Sequence, residues 1–190
     1  MRSTSSYSRR KAPIISFIFL VLLGITSSHL LAQSLEKEYI EQLKYRHIGP
    51  IGNRIVSVTS IPGNPMVYYV GAASGGIWKT VDGGLNWKPI FDDKPVHAIG
   101  ALALAPSDPQ VVYAGTGEAF IRSNVSLGNG VWKSDDGGES WEHTGLDETG
   151  RISRIVVHPT NPDVAYATAL GHAYSPQKER GVYRTKDGGK

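Results

Sequence analysis

Apolar and polar positions recur along this chain in a fixed order. Three stretches line up: "RIVSVTSIPGNPMVYYVGAASGG" from Arg54, "AIGALALAPSDPQVVYAGTGE" from Ala98 and "RISRIVVHPTNPDVAYATALGH" from Arg151. Each is an apolar run, a Pro-x-Asn/Asp-Pro cluster, and a second apolar run carrying Tyr that ends in small residues. The runs are short and rich in Val, Ile, Ala and Tyr, which predicts strands. The proline cluster predicts the turn between them, because proline fixes φ and Asn or Asp bonds its own backbone. No helix passes two prolines three residues apart.

A second pattern follows each pair of strands. Residues 76–87 read "GIWKTVDGGLNW", residues 130–141 "GVWKSDDGGESW" and residues 181–190 "GVYRTKDGGK". The shared frame is Gly, apolar, aromatic, basic, Ser/Thr, any residue, Asp, Gly, Gly. In the first two, a Trp (Trp87, Trp141) stands five residues past the Asp. Asp82 and Asp136 are 54 residues apart, and Asp136 and Asp187 are 51 apart. A period of this size is the mark of a repeat architecture. One unit reads strand, proline turn, strand, loop, strand, Asp-Gly-Gly turn, strand carrying Trp. The predicted fold is all-β: a β-propeller of four-stranded antiparallel blades. About three blades are present and the ring is incomplete, since propellers close with roughly four to eight. Residues 47–190 are expected to be the N-terminal blades, ending within the third turn.

Upstream the pattern is different. Arg2, Arg9, Arg10 and Lys11 precede an apolar run from Ile14 to Ile25, followed by "TSSHLLA". This layout predicts a signal peptide over residues 1–32. Its apolar run is short for a membrane span, which needs about 20 residues. No membrane attachment beyond the signal peptide is expected, and the protein is read as secreted, periplasmic or at the cell surface. Residues 33–46 place Leu35, Tyr39 and Leu43 four apart, which fits a short helix or a lead-in segment.

The leader also explains the charge. The chain carries 20 Lys and Arg against 17 Asp and Glu. Four of those bases lie in residues 1–32, which hold no acid, so 16 remain against 17. The rest of the chain offers no basic field, which argues against a nucleic-acid partner. The chain has no cysteine, so it draws on core burial rather than disulfides.

The repeated turn is similar to a known motif. Thr80-Val81-Asp82-Gly83-Gly84-Leu85-Asn86-Trp87 and Ser134-Asp135-Asp136-Gly137-Gly138-Glu139-Ser140-Trp141 fit S/T-x-D-x-G-x-x-W, and Thr185, Asp187 and Gly189 fit as far as the chain runs. This resembles the Asp-box or BNR repeat of sialidase-type propellers, xyloglucanase-like glycoside hydrolases and the Vps10 domain of sortilin. Together with "RHIGP", "YAGTGE" and "GRISRIVVHPTNP", residues from about 45 on resemble the N-terminal part of bacterial exported proteins related to the sortilin Vps10 domain. Such proteins are often described as glycosyl hydrolases. The resemblance implies that Thr80, Asp82, Gly84, Trp87, Ser134, Asp136, Gly138, Trp141, Thr185, Asp187 and Gly189 are structural and lie away from any ligand.

The same conclusion follows from the residues. A carboxylate in a tight turn accepts backbone N–H groups that would otherwise lack partners, and glycine supplies positive φ. Adjacent acids such as Asp135 and Asp136 lack the alternating spacing of a calcium loop. No metal and no cofactor are expected.

Enzyme signals are weak. No Arg-Ile-Pro signature occurs. Ala73 stands where xyloglucanase-like enzymes carry an aspartate, and a glycosidase of that kind needs two carboxylates. Candidate ligand residues come from position instead. Arg54 and Arg151 each lie eight residues before a turn proline (Pro62, Pro159), at the start of a blade's first strand, which in propellers lines the channel. Glu118 and Arg122 open the long second loop, Asn129 closes it, and His172 sits in the matching loop of the next blade. The alternative role for these residues is an ion pair between blades. The expected partners are a peptide or carbohydrate ligand and the remaining blades of the chain. The leading functional expectation is a sortilin-like binding propeller; glycoside hydrolysis and an assembly or scaffold role are the alternatives.

Overall fold

The computed structural model describes residues 47, 49–50, 53–120, 122–174 and 176–190. The expected signal peptide and lead-in segment lie outside these residues. From His47 on, the chain forms one compact unit built as three antiparallel sheets, each a meander in chain order. The first holds β1 (Ile55–Ser60), β2 (Tyr68–Ala72), β3 (Ile77–Thr80) and β4 (Lys88–Pro89). The second holds β5 (Ile99–Ala105), β6 (Asp108–Thr116), β7 (Val131–Ser134) and β8 (Glu142–His143). The third holds β9 (Ile152–Val157), β10 (Ala165–Ala169) and β11 (Gly181–Thr185).

The fourth strands differ from expectation in one respect. β4 and β8 are two residues long, and Trp87 and Trp141 stand just before them rather than within them. The Asp-Gly-Gly turn consumes the residues that a longer strand would need.

Alternation along β5 shows why the sheets stack. All seven of its residues are buried, because both faces are covered. Leu102 and Leu104 face the first sheet, in a core with Tyr69, Ile77, Phe91 and Trp132. Ala101 and Ala103 face the third, in a core with Tyr113, Ile152, Ile155 and Val157. Successive strand side chains point to opposite faces, so one strand serves two interfaces.

The first strands converge. β1 packs near β5, and β5 near β9. The approach is tight at Gly100, where a Cβ would lie 2.2 Å from the Ile152 carbonyl oxygen and 2.4 Å from that of Gly117. No side chain fits there. This convergence puts the residues just before β1 and β9 at one end of the array.

Candidate functional site

Two sets of charged residues need to be separated: those in the turns and those at the strand starts. The turns are self-contained. Asp136 Oδ1 accepts from the Ser134 hydroxyl at 2.7 Å and the Ser140 amide at 2.8 Å, and Oδ2 from the Ser140 hydroxyl at 2.6 Å. Ser134 Oγ in turn accepts from the Gly138 amide at 2.8 Å. Asp82 repeats the arrangement with Thr80, Leu85 and Asn86. Asp187 does so with Thr185, Gly189 and Lys190. Hydrogen bonds from Ser140, side chain first, hold the Asp136 carboxyl down to about 2. Those from Asn86, amide first, do the same to Asp82. Such groups stay ionised and occupied, so they are ill suited to proton transfer.

The strand starts carry the other set. The carbonyls of Arg54, Ala98 and Arg151 accept from the amides of Ala73, Gly117 and Leu170 respectively, so these three residues are equivalent in the three sheets. By the same register, Glu118 corresponds to Ser74 and Gly171. His172 falls one residue beyond that position.

Glu118 organises a first cluster. Its side chain is fully buried and accepts from Arg122 Nε at 2.6 Å, from Arg54 Nη2 and from the Ser126 amide. Burial works against the charge, yet the bonds from Arg122, Arg54 and Ser126 outweigh it and bring the carboxyl to about 2. Arg54 comes from the first sheet and Glu118 from the second, so the pair joins two blades. Both arginine side chains remain about two-fifths exposed.

Arg151 organises a second cluster. It is 2% exposed. Its Nε donates to the Gly171 carbonyl at 2.7 Å and its Nη2 to that of His172 at 3.2 Å. Arg180 Nη2 donates to the same His172 oxygen at 3.0 Å. Burial first, and then the charge of Arg180, lower the Arg151 pKa. The clusters are neighbours: a Cβ on Gly117, the residue before Glu118, would lie 2.8 Å from Arg151 Cα.

Asn129 and His172 are placed differently. Asn129 Oδ1 accepts from Trp132 Nε1 at 3.0 Å, its amide donates to Thr116 Oγ1 at 2.9 Å, and its carbonyl lies 2.6 Å from His143 Nε2. The residue thus pins the long loop to β7 and β8. His172 has an exposed side chain and contributes mainly its backbone carbonyl. Sequence reasoning missed Arg180 and Gln177. They lie in the extra length of the third blade's loop, which was visible, but nothing local marks which of its residues turn back.

No family model matches the chain. In sequence, it is 29% identical over 108 residues to the photosystem II assembly lipoprotein Ycf48 of Synechococcus sp. (strain CC9902), covering 56% of this chain and 28% of that protein. In structure, it is similar to an ancestral GH74 enzyme (TM-score 0.58, 24% identity, 74% of this chain, 18% of that one). It is also similar to YCF48 bound to D1 peptide (TM-score 0.53, 19% identity, 78% of this chain, 43% of that one). The fold is part of a β-propeller. This chain spans less than half the length of each of these relatives. At these identities the structural likenesses concern the fold; the Arg54 and Arg151 clusters of this propeller must be judged on their own chemistry.

Proposed function

We propose that this chain contributes blades to an exported propeller that binds a ligand, a peptide in preference to a glycan, at the end where the first strands start. The observation that carries this is the paired set of arginines there. Arg54 and Arg122 are about two-fifths exposed around a single buried carboxylate, and beside them the exposed Arg180 and the buried Arg151 share the His172 carbonyl. Guanidinium groups present planar donors to carboxylates and backbone carbonyls. The sequence relative is an assembly protein by name, and a solved YCF48 carries a peptide. Both favour the peptide and are compatible with a role in assembly. This is the sortilin-like reading of the sequence in its simplest form.

Glycoside hydrolysis draws on the likeness to a GH74 enzyme. It requires a carboxyl group able to donate a proton. Glu118, the buried acid of the arginine cluster, is held ionised by two arginines, which suits it to structure rather than to acid catalysis.

The test uses the full-length exported protein on a peptide array and, in parallel, on a panel of polysaccharides. Saturable peptide binding without release of reducing sugar is the expected result. Sugar release that disappears on changing a carboxylate at this end to Ala would overturn the binding reading.

A further inference from the structure

Lys79 and Lys133 hold the basic position of the repeated frame, yet both are largely buried, with side chains 19% and 11% exposed. Each stands directly across its sheet from a tyrosine, Lys79 opposite Tyr69 and Lys133 opposite Tyr113. Each ammonium lies over that ring, 5.4 and 5.8 Å from its centroid. Cross-strand neighbours on one face interact, and the face of an aromatic ring attracts a cation. The ring thus holds the lysine stem along the sheet and aims its end at the blade that follows.

The two lysines end at the same place in that blade. Lys79 Nζ donates to the Gly137 carbonyl at 2.8 Å, which also accepts from the Tyr69 hydroxyl at 3.0 Å. Gly137 follows the Asp of the second turn, and Gly188 is its counterpart in the third. A Cβ on Gly137 would meet Lys79 Nζ and the Tyr69 hydroxyl, each at 3.5 Å. A Cβ on Gly188 would lie 3.0 Å from Lys133 Nζ and 2.9 Å from Asp163 Oδ1. Lys133 donates to that Asp163 oxygen at 3.4 Å, and the Asp163 carbonyl accepts from the Gly188 amide at 2.9 Å. Both glycines have positive φ, 69° and 78°, so the backbone also calls for glycine here. Glycine therefore stands, at a position that the Asp-box motif leaves open, where the preceding blade's lysine arrives.

We propose that Lys79 and Lys133 are clasps between blades, each gripping the Asp-Gly-Gly turn of the next blade or the residue bonded to it. Each blade then has a cationic side and an accepting side. The partner that such a side fits is another blade of the same plan, met head to tail. Head-to-tail contacts generate rings when the rotation closes. An ammonium suits this task because its three donors serve several acceptors at once. Lys133 also pairs with Asp135 of its own blade at 2.8 Å, and Lys79 lies 3.9 Å from Glu139 of the next. Both joints sit at the turn end of the strands, so they are independent of the ligand taken at the strand-start end.

Hydrogen exchange of the full-length exported protein, read by mass spectrometry, tests the grip. Lys79→Met keeps a stem over Tyr69 and removes the donor. Amides of residues 136–141, in the next blade, are expected to exchange about threefold faster or more. Lys133→Met is expected to do the same to residues 161–164 and 187–189 of the third blade. Asp135→Asn removes only the partner within the blade and should leave exchange in the third blade unchanged. Faster exchange confined to the lysine's own blade, or no change anywhere, overturns the clasps. A second measurement does not depend on either lysine variant folding. Acylation of the Lys133 amine is followed by peptide mapping in the parent protein and in Asp163→Asn. Loss of Asp163 is expected to speed it about threefold or more, and an unchanged rate overturns the joint between the second and third blades.

Discussion

Trp141, just before β8, donates its indole N–H to the carbonyl of Ile90, just after β4, at 2.9 Å. The same ring meets Phe91 edge-on, with centroids 5.3 Å apart. One residue of a turn motif thereby closes the interface with the preceding blade. Trp141→Ala is expected to cost about 3–5 kcal/mol, the usual range for emptying a buried aromatic site. Trp141→Phe keeps most of the packing but leaves the Ile90 carbonyl without its donor, for about 1–2 kcal/mol. Chemical denaturation of both variants checks the order.

Gly138 and Gly145 both have positive φ, 92° and 100°. They separate strain from crowding. A Cβ on Gly145 meets nothing within 4 Å, whereas one on Gly138 lies 2.6 Å from Ile90 Cδ1. Gly145→Ala should cost about 1–2 kcal/mol from backbone strain alone. Gly138→Ala should cost more, by an overpacking contribution of about 1–3 kcal/mol. Equal losses would mean that Ile90 yields freely.

Tyr69 and Tyr113 occupy the same position in successive blades and bond the next blade differently. Tyr69 donates to the Gly137 carbonyl at 3.0 Å, which Lys79 also satisfies at 2.8 Å. Tyr113 donates to the Pro162 carbonyl at 2.8 Å. Tyr69→Phe is therefore expected to cost about 0.5 kcal/mol, and Tyr113→Phe about 1–1.5 kcal/mol. Equilibrium unfolding of the pair measures the difference.

The turns give the protein an acid limit. Asp82 and Asp136 titrate near 2 in the folded chain against a usual 3.8. A depressed carboxyl pKa adds stability that is fully present above the unfolded value and is lost as pH falls through the folded one. The melting temperature should therefore drop between about pH 4 and pH 2. In the double variant Asp82→Asn/Asp136→Asn the drop should be shallower, from a lower starting point at pH 7. An unchanged acid slope would show that other carboxylates set the limit.

Glu118 tests the joint between the first two blades. Glu118→Ala leaves Arg54, Arg122 and the Ser126 amide without their acceptor. Both arginines reach water, so the loss should be about 1–3 kcal/mol, below that for a wholly buried pair. Double-mutant cycles with Arg54→Ala and Arg122→Ala apportion it.

The blade plan was legible in the sequence because its signals are local. Pro62, Asn64 and Pro65 lie within four residues, and Thr80 to Trp87 within eight, so each turn declares itself. The joints between blades were not legible. Tyr69 meets Gly137 68 residues away, and Trp141 meets Ile90 51 residues away; no spacing in one repeat announces a partner in the next. The strand-start arginines could be placed by counting back from prolines. Their different surroundings could not, because Glu118 reaches Arg54 from the next blade, 64 residues away, while Arg151 bonds Gly171 of its own blade. Asn129 was visible as the end of a loop, but its hold on Trp132 depends on how β7 turns.

The two long loops at the strand-start end differ: the one after β6 carries Glu118, which ties the second blade to Arg54 of the first, whereas the hydrogen bonds of Gln177 in the one after β10 stay within that loop. Tyr69, Trp141 and Tyr113 fasten the sheets through positions on or beside the strands and turns. The loop after β10 can therefore lengthen, shorten or exchange residues at less cost to the array than the loop after β6. The propeller behaves as a fixed chassis with replaceable cartridges. Divergence in this lineage should accumulate first in the loop after β10.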